Sequence, residues 1–461
     1  MATCGMTMQS SILATCTLGL GFSYKSLRAG LERGPDLIAC DAGSADFGPY
    51  FLGTGKVQKS RETLKRDLTL LLKGAREIGV PFITGSAGGA GARVQVDDMA
   101  DLVREIAREE GLHFRMAIIP ADIPQDRVIR AFRDGGLHPV GSVAPLSETV
   151  IAETGAIVAM MGVEPFQAAL AEGANVVIAG RATDPSIFAA VALNAGLPED
   201  MVWHAAKCVD KGYLATTRPQ DGSLVLATID SDGFTVEPMR EGSVCTVKTV
   251  AGITLHENSD PFRVVQPTGT IDTELSRYTQ ADDRSVRVTG SRYIRAKRPT
   301  LKLEGARQVG FRKLLIAGIR DPRLLERLDE YLDAYRAAIA RAARSLGIDP
   351  GDYSLSFRCY GRDAVMGPLE PLRERMGHEI GLLVDLVGKS QAVANALASR
   401  LGPTGSRMDI HGRLGGGGNF AYPFSPSVID MGAVYEWSLW HIMEIDAAEL
   451  TSLFPIEMET V

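Results

Sequence analysis

From its start to about residue 200 the chain repeats one pattern: a short apolar run with no polar face, an immediate glycine-rich or polar turn, then an amphipathic stretch of helical period. Few folds accept this pattern. A run such as Val176, Val177, Ile178 and Ala179 has no alternating polar positions, so it must be covered on both sides, as a central parallel strand is. Strands are therefore expected over 12–17, 37–40, 81–84, 115–119, 156–161 and 176–179, with helices over 60–78, 99–110 and 124–133 among them. Strands alternating with helices of this length predict an α/β body of Rossmann-like type with a mostly parallel sheet.

After residue 205 the period changes. Short strands separated by Asp-Gly and Pro turns are expected over 224–229, 234–237, 243–248, 262–265 and 285–289, a β-rich elaboration running to about 308. Then come 313–319, a helix over 322–346, strands over 354–359 and 380–387, a helix over 390–401 and a last strand over 434–440. This β-α-β-β-α-β order is the ferredoxin-like α+β arrangement. The chain, at 461 residues, thus divides into a Rossmann-like domain over 1–308, with its β-rich insertion over 205–308, and a ferredoxin-like domain over 309–461 that carries a Gly/Pro-rich loop over 402–427.

Charge and cysteine usage exclude several function classes. Lys and Arg total 49 against 56 Asp and Glu, a formal charge of −7, so no basic face is expected for nucleic acid. The six cysteines form no C-x-x-C pair, which argues against structural zinc or a disulfide framework and for a reducing cytoplasm. The apolar first twenty residues lack the basic segment of a signal peptide, since the first lysine is Lys25. No apolar run is long enough to predict a membrane span.

In an open α/β sheet the ligand crevice lies outside the carboxyl ends of the strands. The polar residues at those ends are Gly19 and Gly21, Asp41 and Asp46, Gly85, Ser86, Gly88 and Gly89, Asp122, Glu164, and Arg181 with Asp184. Their convergence on one rim would hold several acids together and raise the pKa of one of them into a range suited to proton transfer. Asp184 could instead only cap the helix that begins there, and Arg181 only pair with it. The 85–91 turn could cradle an anion with its backbone N–H groups, but it has no Gly-Lys-Ser/Thr of a Walker A motif. Gly19 and Gly21 form part of a dinucleotide fingerprint whose third glycine position holds Tyr24, so no nicotinamide cofactor is expected. The loop His256-Glu257-Asn258-Ser259-Asp260 offers Glu257 and Asp260 as acid/base groups, or a solvated turn. As a less favoured alternative its carboxylates and imidazole could ligate a divalent ion, although the helical His-Glu-x-x-His spacing is absent. Asn419, in the glycine and aromatic loop over 415–426, could present an amide to a ligand.

Three motifs in order resemble the signature of the acyclic terpene utilisation AtuA family. They are Gly180-Arg181-Ala182-Thr183-Asp184-Pro185-Ser186, His256 to Pro261 with Pro267 and Asp272 beyond it, and Gly417 to Pro426. The resemblance spans nearly the whole chain and implies the same two-part architecture in a catabolic setting. With the residues, it leads to an expected lyase of hydratase or dehydratase type, acting on a small carboxylate or acyl thioester. Arg181 and the 85–91 turn would hold the anion; Asp184 with Asp41 or Asp46 would be the acid/base. Coenzyme A could form part of the substrate, and no other cofactor is expected. A hydrolase using Ser86, or a scaffold subunit docking a small companion protein, are the alternatives. Tyr435, Trp437 and Trp440 in the last strand suggest a homo-oligomer.

Overall fold

The structure is a computed structural model that describes residues 8–408 and 419–461. Cys4 and the glycines 415–418 of the expected loop lie outside these residues. Strands β1 (Ser10–Ala14), β2 (Leu37–Asp41), β3 (Phe82–Gly85) and β4 (Arg115–Ile119) alternate with helices α1 (Tyr24–Glu32), α2 (Tyr50–Thr54), α3 (Arg61–Ile78) and α4 (Arg93–Glu110). Next follow α5 (Gln125–Arg133), β5 (Leu137–Pro139), α6 (Glu148–Glu153), β6 (Ala156–Ala159), α7 (Glu164–Ala171), β7 (Val176–Ala179), α8 (Asp184–Asn194) and α9 (Glu199–Val209). The helix ends follow local rules. Ser60 caps α3 by accepting from Thr63 N, and Gly79, at φ 73°, ends it in the left-handed conformation that a side chain resists.

Five strands form a parallel core in the order β1-β2-β3-β7-β4. Their alternate residues feed two separate layers. Leu13, Ile38, Phe82, Met116 and Val176 pack with α1, α3 and α4 on one face, while Ile12, Ala39, Ile83, Ala117 and Val177 pack with α8 and α9 on the other. Helix α8 is apolar all round because it is buried between the sheet and α9.

One expected core strand lies elsewhere. β6 pairs antiparallel with Leu303–Ala306 rather than joining the parallel sheet, because strand β15 (Thr300–Ile319) offers it a free edge. Before it run β8 (Val225–Ile229), β9 (Gly233–Pro238), α10 (Val247–Thr254), β10 (Arg263–Gln266), β11 (Gly269–Asp272), β12 (Arg277–Gln280), β13 (Val286–Thr289) and β14 (Arg292–Arg295). β8, β9, β13 and β12 extend the parallel core as antiparallel strands, and β10, β11 and β14 form a small sheet of their own. The ten-stranded sheet is therefore mixed rather than mostly parallel. The expected strand over 243–248 is instead the approach to α10, since Thr246 and Thr249 cap that helix reciprocally.

The chain clusters into two units: residues up to Arg307 together with Trp437–Val461, and Gln308–Glu436. This differs from a division at 308/309 in its C-terminal part. Residues His441–Met443 of β18 (Val428–Glu444) pair with β5, and the terminal strand β19 (Glu457–Thr460), which follows α14 (Glu449–Ser452), pairs with β4 at the edge of the large sheet. In the second unit α11 (Pro322–Glu326) and α12 (Leu328–Ser345) replace the single expected helix, and β16 (Tyr353–Tyr360), β17 (Ile380–Gly388) and α13 (Gln391–Arg407) follow. The strands lie in the order β16-β17-β15-β18. Tyr331, Tyr335 and Phe420 fill the layer beneath, with both tyrosine hydroxyls donating to carbonyls of α13.

Candidate functional site

The end of β2, the start of α8 and the end of α9 bring five charged side chains together. Lys211 Nζ donates to Asp41 Oδ2 at 2.8 Å and to Asp184 Oδ2 at 3.1 Å, and Lys207 Nζ donates to Asp210 Oδ2 at 2.9 Å. Asp41 and Asp210 are fully enclosed, while Asp184 keeps 18% of its side chain exposed. Burial pushes the Asp41 carboxyl up to about 6, against the pull of Lys211, and the neighbouring Asp184 charge adds to the rise. For Asp184 burial acts in the same direction, but Lys211, Arg181 and Lys207 outweigh it and hold the group below the usual carboxylate range. Two carboxylates on one ammonium thus differ in proton affinity.

Asp184 is not a cap. It is the first residue of α8, Thr183 is the N-cap residue, and the Asp184 carboxylate goes to Lys211. Arg181 does not pair with it by hydrogen bonds either. Its Nε and Nη2 donate to Glu304 at 2.9 and 3.3 Å, and its Nη1 donates to Ser86 Oγ at 3.2 Å. The guanidinium fork expected to clamp a substrate is therefore occupied by a carboxylate of the chain. Lys302 Nζ completes this group, donating to Glu304 Oε1 at 2.9 Å and sitting 3.4 Å from the Trp440 ring centre.

Several other expected ligand groups are also spent within the fold. The N–H groups of Gly19 and Gly21 both donate to Asp67 Oδ2, at 2.9 and 3.0 Å, so the turn holds an internal carboxylate where a cofactor phosphate would sit. In the 85–91 turn Ser86 N and Ala87 N go to the carbonyls of Gly180 and Ala179, and Gly89 N and Gly91 N go to Ser86 and Ala87. This turn is a packing device. A Cβ on Gly43 would lie 2.2 Å from the Gly89 backbone, and one on Gly91 would lie 2.2 Å from Arg181 N. Gly85 and Gly88 are likewise closed in, by Ile187 and Gln95. Ser86 holds a positive φ of 52°, but its hydroxyl is buried and accepts from Arg181, so no base takes its proton among the described residues.

Asp260 accepts from the N–H groups of Phe262 and Arg263, a local turn. Asn419 belongs to the second unit, where its amide donates to the carbonyls of Gly405 and Met408 at the end of α13. Asp122 accepts from Arg93 N at the start of α4. Glu164 follows β6 away from the parallel rim and lines a different cavity, of about 580 Å³. Asp46 and Glu257 do join the site. They line one cleft of about 240 Å³ with Arg181, Asp184, Lys207, Asp210, Lys302 and the apolar Met160, Val264 and Val265. A larger cavity of about 770 Å³ in the second unit is lined by Arg362 and Arg373, each of which pairs with both Asp329 and Asp363.

Lys207, Asp210, Lys211, Lys302 and Glu304 were not among the residues expected from sequence. A signal existed for two of them. Lys207 and Lys211 are four residues apart beside a helix whose other residues include Val202, Trp203, Ala205, Ala206, Cys208 and Val209, and charges on so apolar a helix must be paired. Lys302 and Glu304 alternate with Leu301 and Leu303, which reads as an ordinary solvent-facing row. The five described cysteines are buried and free, and burial pushes the Cys16 thiol up to about 12, which removes it as a nucleophile. Among the described residues no group of three or more His, Cys, Asp or Glu side chains is placed to hold a metal ion. No helix among them is long and apolar enough to cross a membrane.

No curated protein and no solved structure matches the chain. A family model described as acyclic terpene utilisation family protein AtuA matches residues 14–195 and 212–406, which include Asp41, Arg181, Asp184, Lys302 and Glu304 but not Lys207, Asp210 or Lys211.

Proposed function

The chain belongs to the acyclic terpene utilisation AtuA family, and from that premise we propose that it is a catabolic enzyme whose cleft moves a proton at a carbon beside a carbonyl. The substrate class is a small carboxylate or acyl thioester. The reaction is addition or removal of water across a carbon–carbon double bond. The observation that carries this reading is the Asp41–Lys211–Asp184 group, in which one carboxyl is pushed up to about 6 and its neighbour is held down. Carboxyls whose environments separate their pKa values are the usual basis of divided acid and base roles.

Asp184, the exposed member, is the group that meets the substrate. Lys211 donates to both carboxylates, so a proton stored on Asp41 can pass to Nζ as Nζ–H passes its own to Asp184. In hydration Asp184 then delivers that proton to the carbon beside the carbonyl while the oxygen of a water bonds to the next carbon, and the proton the water loses goes to the Asp184 carboxylate and back through Lys211 to Asp41. Met160, Val264 and Val265 give the cleft an apolar wall for a short hydrocarbon chain. The order of elements and strands in the second unit supports a ferredoxin-like assignment for it, and the parallel core supports a Rossmann-like ancestry for the first.

Turnover of crotonyl-coenzyme A in heavy water tests the reaction class. The expected product carries deuterium on the carbon beside the carbonyl. A product formed by thioester cleavage, with that carbon unlabelled, would replace the lyase reading with a hydrolase one.

A further inference from the structure

Three cations line the cleft, and they differ in what they have left to offer. Arg181 is 7% exposed, with Nε, Nη1 and Nη2 each donating to Glu304 or Ser86, and Lys207 is 5% exposed with its ammonium on Asp210, so burial keeps both from an anion in the cleft. Lys302 is 24% exposed. Its ammonium has three N–H donors. One goes to Glu304, and the Trp440 ring covers another side at 3.4 Å, which leaves a donor for the cleft. We propose that Lys302, and not Arg181, binds the anionic end of the substrate, a carboxylate, with Glu304 and Trp440 holding the ammonium in place. This rests on the reading of the cleft as the active site.

The surroundings suit that role. Burial lowers the Lys302 pKa and Arg181 lowers it further, while Glu304 and Asp46 oppose them. An ammonium that is partly desolvated and crowded by a second cation gains by meeting an anion from solution. The aromatic face limits its rotation, so little side-chain freedom is lost when the anion binds. Arg181 then acts as a positioning residue, setting the Glu304 carboxylate that in turn aims Lys302.

Crotonate is the probe, since it is a small unsaturated carboxylate, and its dissociation constant is read by NMR titration at pH 7. Lys302→Met is expected to weaken binding about tenfold or more, the effect of losing a charge-assisted hydrogen bond, and Lys302→Arg to weaken it much less. Parent and Lys302→Met binding crotonate equally, or neither binding it, would overturn the proposal. A second measurement needs no variant: acetic anhydride should acetylate Lys302 in the parent protein, and crotonate should slow that reaction. Equal acetylation of Lys302 with and without crotonate overturns the proposal even where the variant does not fold. Crotonate binding through Lys302 without deuterium incorporation from heavy water would leave this assignment standing and remove the hydratase reading.

Discussion

Replacing Glu304 by Gln isolates what the buried ion group contributes, because volume is conserved and only charge is lost. Glu304 and Arg181 keep 2% and 7% of their side chains exposed, so water cannot solvate the guanidinium once its partner is neutral. A unit charge pair at this range is worth about 4 kcal/mol at an effective dielectric constant of about 20. Removing one member of a buried pair costs about 3–5 kcal/mol, since the remaining charge stays desolvated. The Gln amide oxygen can still accept, but its NH2 must face Arg181 or Lys302, both already donors to this carboxylate. The upper half of that range is therefore expected, a large fraction of a stability of about 5–15 kcal/mol.

The assay is urea unfolding followed by circular dichroism, where such a loss lowers the midpoint by about 1 M or more. The pH dependence has a definite sign. Arg181 and Lys302 overcome the effect of burial and hold Glu304 below its usual value, so its stabilisation is present above about pH 4.5 and fades as pH falls through the depressed value. The gap between parent and Glu304→Gln should be full at pH 7 and shrink in acid. The double substitution Arg181→Met with Glu304→Leu should recover much of the loss, because it removes both desolvated charges. Equal midpoints for parent and Glu304→Gln at pH 7, or a gap that widens in acid, would refute the reasoning.

Asp184→Asn should fold, since Lys211 keeps Asp41 as a partner, yet lose turnover about 100-fold or more; full activity on a hydratable substrate would remove Asp184 from the chemistry. Asp41→Asn should abolish an ionisation near pH 6 in the profile of kcat/KM. The same raised pKa means that ionising Asp41 costs stability as pH rises from its ordinary value of 3.8 towards 6, so the Asn variant should lose that pH dependence in thermal unfolding. Gly91→Ala places a Cβ 2.2 Å from Arg181 N at a φ of 71° and should destabilise by about 2 kcal/mol or more, whereas Gly79→Ala meets nothing within 4 Å and should cost only the left-handed φ, about 1 kcal/mol; comparable melting of the two variants would contradict the packing account of the turn.

Much of the architecture was legible because it depends on local period. Val176–Ala179 could only be a doubly covered strand, and residues beyond its end, Arg181 and Asp184, had to lie at a strand terminus. Likewise Asp41, at the end of β2, reaches the same rim through the parallel register of β2 with β3. The resemblance to the family was carried by contiguous motifs, which need no fold to be seen.

Partner choice was not legible, because it depends on contacts distant in sequence. Arg181 was read as free to bind an anion until Glu304, 123 positions away, came to occupy it across the β6–β15 pairing. The 85–91 turn and Gly19 with Gly21 have the composition of an anion cradle, yet the N–H groups of Ser86, Ala87, Gly89 and Gly91 go to carbonyls and those of Gly19 and Gly21 to Asp67. β6 has the local pattern of a core strand and is claimed by another edge. A local pattern limits what a segment can be, through backbone sterics and the need to bury apolar side chains; which charge neutralises which is settled only when folding removes water and leaves each buried group the nearest opposite one.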